Sequence, residues 1–300
     1  MSNKQITIEQ LTKDFGHGRG IFDINLYVRR GEVLGFLGPN GAGKTTTIRH
    51  LMGFTKPGKG RAEISGLNAT TQYQRVMENV GYLPGEVALP EEMNGRSFIK
   101  MMQQMRKIDD DSHIRKLLTQ FELDPNMPIK KMSLGMKRKL AVVVALMADP
   151  DVLILDEPTS GLDPSMQDQF ISFMVGEKNR GKTILLSSHI FREVEALCDR
   201  IVIIKDGHIV SEVDANQLKN ADEKNFKLVF VDAAAASKAH QQLGGQLKEA
   251  ELNIKVKRSQ LTKFFKNLGR YSVVSITEQR FDLEKYFLHF YRTDRKFQTL

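Results

Sequence analysis

Three hundred residues with 41% hydrophobic content are enough to bury a full core and exceed one typical domain, so one large and one small unit are expected. The longest apolar run, Ala141–Ala148, is too short to cross a bilayer, the polar opening Met1–Gln10 is no signal peptide, and the single cysteine, Cys198, excludes an internal disulfide or a cysteine metal cluster, which predicts a cytosolic chain. The net charge of +8 forms no basic stripe, since residues 1–210 carry 28 basic and 25 acidic side chains and residues 211–300 carry 16 and 11; the densest clusters, Lys137-Arg138-Lys139 and Lys255, Lys257 and Arg258, read as solvated faces or faces near anionic lipid and argue against nucleic acid.

In chain order, Ile6–Leu11, Ile21–Val28 and Glu32–Leu37 read as strands. The run Gly38-Pro39-Asn40-Gly41-Ala42-Gly43-Lys44-Thr45-Thr46 then leads into a helix over Gly43–Met52, which is the strand, loop and helix order of a phosphate cradle. Its glycines let backbone N–H groups turn inward, and the helix adds its positive N-terminal dipole to the same anion. Lys44 is expected to reach the β- and γ-phosphates of a nucleoside triphosphate, and Thr45 to offer its hydroxyl to Mg²⁺.

Arg61–Ser65 is another short strand. From Arg96 through Phe121 the apolar residues Phe98, Ile99, Met102 and Met105, then Ile114, Leu117, Leu118 and Phe121, recur at helical spacing and predict an inserted helical lobe over residues 90–147. Its methionines read as adaptable filler or as a surface for a partner helix. Ser133 is the expected N-cap of a helix running through Met147. The apolar runs Val152–Leu155, Thr183–Ser187 and Ile201–Ile204 alternate with helical stretches, as parallel strands buried on both faces do, so the fold class is α/β. Asp206-Gly207 has the chemistry of a hairpin turn and leads to the end of the first domain at residue 215.

Residues 216–300 form the second expected domain, after a polar stretch Asn216–Asn225. A strand Phe226–Val231, a helix Ala233–Leu243, a strand pair around Gly244–Val256, a helix Gln260–Leu268 and a strand Arg270–Thr277 give the βαββαβ order of a small α+β, ferredoxin-like module. An amphipathic helix Leu283–Tyr291, carrying Phe287, Phe290 and Tyr291, follows.

Two further segments carry chemistry. Leu153-Ile154-Leu155-Asp156-Glu157 is an apolar strand ending in two carboxylates, which suits Asp156 to hold Mg²⁺ and Glu157 to face the water that attacks a γ-phosphate. His189 follows the strand Thr183–Ser187 and Ser188, at the carboxyl end where open-sheet ligands bind, placed to hydrogen-bond a phosphate oxygen or position water. Alone, a histidine there is more often structural. The helix capped by Ser133 is itself an anion site, and because the glycine-rich loop already holds this chain's phosphates, it is expected to serve a second molecule's.

Together these motifs, in this order over residues 1–215, resemble the nucleotide-binding domain of ABC transporters. The resemblance implies an ABC-type P-loop ATPase with a RecA-like core, an antiparallel β subdomain and an α-helical lobe, and ATP and Mg²⁺ as its ligands. It makes Gly38–Thr46 the Walker A loop, Met132–Met136 the signature, Asp156 and Glu157 the Walker B pair and His189 the switch histidine, with Asp163 in the D-loop. Phe15 falls where the family stacks an aromatic ring on adenine, although a buried core Phe is the competing reading. Also implied are a homodimer that sandwiches two ATP molecules head to tail, with Ser133 and Gly135 reaching the partner's nucleotide, and a separate integral membrane permease of about six transmembrane helices per subunit. The chain would then be peripheral on the cytoplasmic face of the cell membrane.

Two departures stand out. The usual LSGGQ signature keeps only Ser133 and Gly135 here, with Leu134 and Met136 in place of a glycine and the glutamine, so the trans contact is expected to survive at a reduced rate. After Tyr82-Leu83-Pro84 the family glutamine is replaced by Gly85 and then Glu86, and Glu86 is expected to sense Mg²⁺ and the γ-phosphate in its stead. The wording Gly81–Glu86, the signature form Ser133-Leu134-Gly135-Met136 and the ending Asp282–His289 are similar to the drug-exporter branch that includes bacitracin-resistance and sodium-efflux type ATPases. The expected function is therefore ATP hydrolysis that powers a separate permease for drug or small-molecule efflux. The rival is a soluble ABC ATPase acting on ribosomes or DNA, against which stand the single cassette, the compact tail and the lack of a heptad run. A ligand-sensing C-terminal module is a third reading.

Overall fold

The computed structural model describes residues 3–215, 223–279 and 283–292. They fall into two compact units, Met1–Ala215 and Asn216–Leu300. Residues 216–222 of the polar connector and Asp282 of the tail lie outside the described residues.

In the first unit, an antiparallel sheet of order β2-β1-β4-β5 is built from β1 (Lys4–Asp14), β2 (Gly20–Arg29), β4 (Lys59–Ile64) and β5 (Leu67–Asn68). Plain alternation after Ile6 and Ile8 would turn Gln10 inward. Instead the register of β1 shifts between Ile8 and Leu11, with Gln10 at φ 49, so that Leu11 reaches the core. The second sheet has order β10-β9-β3-β8-β7-β6. Its strands are β3 (Val33–Leu37), β6 (Val80–Leu83), β7 (Val152–Asp156), β8 (Thr183–Ser188), β9 (Arg200–Lys205) and β10 (His208–Asp214). All but β10 run parallel, and every residue of β3, β7 and β8 is buried, as expected for strands covered on both faces. Asp206 (φ 47) and Gly207 (φ 77) turn β9 into β10, the two positive dihedrals that a tight hairpin needs.

Helices α1 (Lys44–Leu51), α2 (Tyr73–Asn79), α6 (Pro164–Asn179) and α7 (Phe191–Leu197) connect these strands. The helical lobe contains α3 (Gly95–Met105), α4 (Ser112–Gln120) and α5 (Leu134–Leu146). The expected helical stretch 96–121 is broken at its middle, because Lys107 takes φ 53 and Asp110 draws both the N–H and the hydroxyl of Ser112 to its carboxylate. Short acidic side chains that capture local backbone donors stop helices in this way. No described helix is long and apolar enough to cross a membrane.

The two sheets share one core, in which Ile6, Ile8 and Leu11 meet Phe36, Ile48 and Ile204. A buried ion pair also ties their ends. Arg200 donates through Nε to Glu32 Oε1 (2.7 Å), through Nη1 to Glu212 Oε1 (2.8 Å) and through Nη2 to the carbonyl of Tyr27 on β2 (2.5 Å), while its guanidinium lies 4.3 Å from the Tyr27 ring centroid.

The second unit is a four-stranded sheet of order β12-β13-β11-β14, all neighbours antiparallel, which is the ferredoxin-like arrangement. Its elements are β11 (Glu223–Phe230), α8 (Ala233–Leu243), β12 (Gln246–Lys248), β13 (Glu251–Lys257), α9 (Leu261–Leu268) and β14 (Val273–Gln279), followed by α10 (Leu283–Arg292). Phe226, Leu228 and Phe230 alternate inward against Ala236 and Ala239 of α8 and Phe264 of α9, with the Phe226 and Phe264 rings stacked at 5.3 Å. Asp232 caps α8 by accepting from the N–H of Ala235 at 2.7 Å.

Removing one partner of the Arg200–Glu32 pair strands a buried charge. Arg200→Met should therefore lower the melting temperature by roughly 5–10 °C, and the double variant Arg200→Met/Glu32→Gln should recover most of that loss in the same calorimetric scan.

Candidate active site

The site is assembled at the carboxyl ends of β3, β7 and β8. Between β3 and α1, Gly41 (φ 83) and Gly43 (φ 111) take left-handed conformations that curl the loop. The loop is also tightly seated: a Cβ on Gly38 would lie 2.6 Å from the carbonyl oxygen of Ile204, and one on Gly43 would lie 2.7 Å from Ile21 Cγ2. Helix α1 carries no side-chain cap and no acid in its first turn, so its N-terminal dipole is left for an anion. Lys44, buried at the first position of α1, donates through Nζ to the carbonyls of Gly38 (2.6 Å) and Pro39 (3.1 Å) and lies 3.0 Å from Glu157 Oε1. Thr45 and Thr46 are half-buried beside it.

Strand β7 delivers the two carboxylates into different surroundings. Asp156 is fully buried; its Oδ1 accepts from Ser187 Oγ at 2.5 Å, whereas Oδ2 has no hydrogen-bond partner. A buried carboxylate oxygen left open in this way fits a hard cation. No group of three or more Asp, Glu, His or Cys side chains gathers into a cage among the described residues, so a metal here would complete its shell with the Thr45 hydroxyl, phosphate oxygens and water, as Mg²⁺ does. Burial and the charge of Asp156 push the Tyr82 phenol up to about 12.

Glu157 takes φ 48, a left-handed conformation uncommon outside glycine, and its N–H donates to the carbonyl of Ser187 at 3.0 Å. Its carboxylate thereby lies between Lys44 and His189, whose Nδ1 is 2.5 Å from Glu157 Oε2. A carboxylate only accepts, so His189 Nδ1 carries the proton and Nε2 is left for another partner. The ring is 46% exposed, on the open side of the site.

Other expected site residues lie in the loops around this centre. Ser133 caps α5 by accepting from the N–H of Met136 at 3.2 Å. Gly135 faces the D-loop and α6, where a Cβ would meet Met166 Sδ at 3.4 Å, and exposed Leu134 packs on Gly161. Asp163 uses its carboxylate to cap α6, accepting from the N–H of Met166 at 3.0 Å. The Phe15 ring is 56% exposed in the turn between β1 and β2, which removes the reading of a buried core residue. Glu86, expected at the metal, is exposed just past β6, beside Gly85, which faces Asp156; a Cβ on Gly85 would lie 3.3 Å from Asp156 Oδ2.

One correction concerns Lys137-Arg138-Lys139, which the charge pattern treats as a solvated face. Lys137 does reach outward to Glu91 at 2.8 Å, but Arg138 is only 3% exposed. Its guanidinium donates to the carbonyls of Pro84 (2.7 Å), Gly85 (3.0 Å), Pro158 (2.9 Å) and Glu157. The available signal was its spacing of four and seven from buried Val142 and Ala145. Glu193 on α7 was also missed. It is buried four residues after His189, accepts from Ser188 Oγ at 2.6 Å, and is pushed up to about 7 by burial, with the Glu157 charge adding to the effect.

A carboxyl group raised above its ordinary 4.5 binds a proton in the folded state that the unfolded chain has already released, so its contribution to stability declines as pH rises from about 4.5 through 7. Glu193→Gln should flatten the fall in melting temperature between pH 5 and pH 8 relative to the parent, and parallel curves for the two proteins would refute this account.

Similarity to known proteins agrees with the geometry. The family model described as ABC transporter matches residues 21–160. The uncharacterized ABC transporter ATP-binding protein YdbJ of Bacillus subtilis (strain 168) is 34% identical over 254 residues, 84% of this chain and 81% of the relative. The bacitracin transport ATP-binding protein BcrA of Bacillus licheniformis is 34% identical over 230 residues, covering 76% of this chain and 75% of the relative. A solved structure described as the ATP binding subunit of an ABC transporter superposes with a TM-score of 0.65 at 28% identity, over 72% of this chain and 92% of that one. With the Walker loop, the two carboxylates and the histidine assembled in one site, this degree of similarity makes the chain a member of the ABC transporter ATP-binding proteins, an ATPase family.

Proposed function

We propose that this chain powers a separate membrane permease, in an exporter of drugs or other small molecules, through ATP-driven closure of a head-to-tail homodimer. The observation that carries the catalytic part of this reading is the Glu157 carboxylate, 3.0 Å from Lys44 Nζ and 2.5 Å from His189 Nδ1. On ATP binding, Lys44 exchanges this carboxylate for β- and γ-phosphate oxygens, while Gly38, Pro39, Asn40, Gly41, Ala42, Gly43 and Thr46 line the phosphate loop. Thr45 and Asp156 Oδ2 would hold Mg²⁺, which would neutralise charge on the phosphate oxygens.

Released from Lys44, Glu157 accepts the proton of the attacking water, and His189 keeps that carboxylate oriented while its Nε2 faces the γ-phosphate. Phe15 offers an exposed ring to the adenine. The capped N-terminus of α5, with Ser133 and Gly135, serves the nucleotide bound by the partner subunit, and Asp163 lies in the adjoining D-loop.

Export and the permease rest on different support. The name of BcrA, bacitracin transport ATP-binding protein, comes from a relative that spans most of this chain. The absence of a membrane-crossing helix among the described residues is consistent with a motor that docks on a separate permease of about six helices per subunit, at the cytoplasmic face. Exposed Met101 and Met105 on α3 give the helical lobe an apolar, adaptable surface for that contact.

Glu157→Gln should lower kcat by at least about 100-fold while ATP binding, followed by calorimetry, is retained, and it should elute as a dimer in ATP and Mg²⁺. Turnover near that of the parent would remove Glu157 as the base. Met105→Cys, at a site 69% exposed, should form a crosslink to the permease that copurifies with the chain; a crosslink absent there and present from the antiparallel sheet instead would move the docking surface off the lobe.

A further inference from the structure

A buried guanidinium is an unexpected choice at position 138. None of its four hydrogen bonds goes to a carboxylate; all end on main-chain carbonyls, of Pro84, Gly85, Pro158 and Glu157. Burial depresses its pKa, and the charges of Asp156, Glu157 and Glu193 oppose that depression. A leucine or methionine would fill the same space without the desolvation penalty. What an apolar residue cannot supply is a rigid fork of donors that grips two segments at once.

Those segments flank the reacting centre. Pro84 and Gly85 follow β6, and the Gly85 position lies against Asp156 Oδ2. Glu157 and Pro158 follow β7, and Glu157 is held in a left-handed backbone conformation that sets where its carboxylate points. Maintaining such a conformation requires surroundings that over-determine it, and the Glu157 peptide is gripped from both sides: its N–H by Ser187 and its carbonyl by Arg138. Arg138 also lies on the helix whose first turn is capped by Ser133.

We propose that Arg138 is a positioning residue for hydrolysis: by bridging the carbonyls of Pro84-Gly85 and Glu157-Pro158 it holds the Glu157 carboxylate at reacting distance, without itself touching the nucleotide. The inference rests on the reading of Glu157 as the base. It also separates binding from chemistry, because the phosphate loop and Lys44 receive no hydrogen bond from Arg138 and should hold ATP in its absence.

The test compares the parent chain, Arg138→Met, Arg138→Lys and Glu157→Gln, each full length and below its measured melting temperature, by ATP calorimetry and steady-state hydrolysis. Arg138→Met should lower kcat by roughly 10–100-fold with KM and Kd for ATP changed by less than about threefold, the size of effect expected when a reacting group is misplaced. Arg138→Lys keeps the charge but not the fork, and should stay at least about tenfold below the parent. Full rescue by lysine would mean that charge alone matters and would overturn the bridging role. So would a kcat within about twofold of the parent in Arg138→Met, or a KM that rises in step as kcat falls. Should Arg138→Met fail to fold, Arg138→Lys decides by the same criteria. Glu157→Gln keeps the two readings apart: normal turnover there removes the base itself, whereas a dead Glu157→Gln beside a fully active Arg138→Met removes only this inference.

Discussion

Two adjacent acids at the end of a fully buried strand are the constraint around which the first unit is arranged. Asp156 and Glu157 are carried inward by β7, whose five residues are all buried, and charged groups in such a place require donors or cations close at hand. Each neighbouring element supplies one. Ser187 comes from β8, His189 from the residue after it and Lys44 from the start of α1, while Arg138 from α5 holds the main-chain carbonyl of Glu157. The parallel order β3-β8-β7 puts these strand ends side by side, which is why residues more than a hundred positions apart in sequence meet within hydrogen-bonding distance.

The acids are not equivalent. Asp156 is buried, with one oxygen engaged by Ser187 and one free, the situation of a ligand. Glu157 is slightly exposed, twisted out of the strand by its positive φ and braced by two cationic or proton-bearing neighbours, the situation of a group that exchanges partners. The strand ends at Asp156 and the left-handed backbone of Glu157 re-aims its side chain, so adjacency in sequence becomes separation of role.

Much of this was legible in the sequence. All-apolar runs announced the buried parallel strands, and the glycine run followed by Lys44 announced the curled loop between β3 and α1, because both depend on local composition and short spacing. The βαββαβ order of the second unit was equally readable, its Phe226, Leu228 and Phe230 alternating as a half-buried strand does. The misses share a different physical origin. Gln10 looks like any polar strand residue, and only the pairing of β1 with β2 shows that it is bulged out. Arg138 sits between two lysines, and its burial is marked in the sequence only by its helical spacing from Val142 and Ala145, which does not show that its guanidinium satisfies distant carbonyls.

The seating of the phosphate loop has one more consequence. Gly38 and Gly43 are hemmed in by Ile204 of one sheet and Ile21 of the other, so the shape of the cradle belongs to the joint between the sheets as much as to its own nine residues. Grafted onto another scaffold, the same peptide would lose the walls that mould it. Conversely, enlarging either isoleucine would deform an anion receptor without altering a single group that touches the anion.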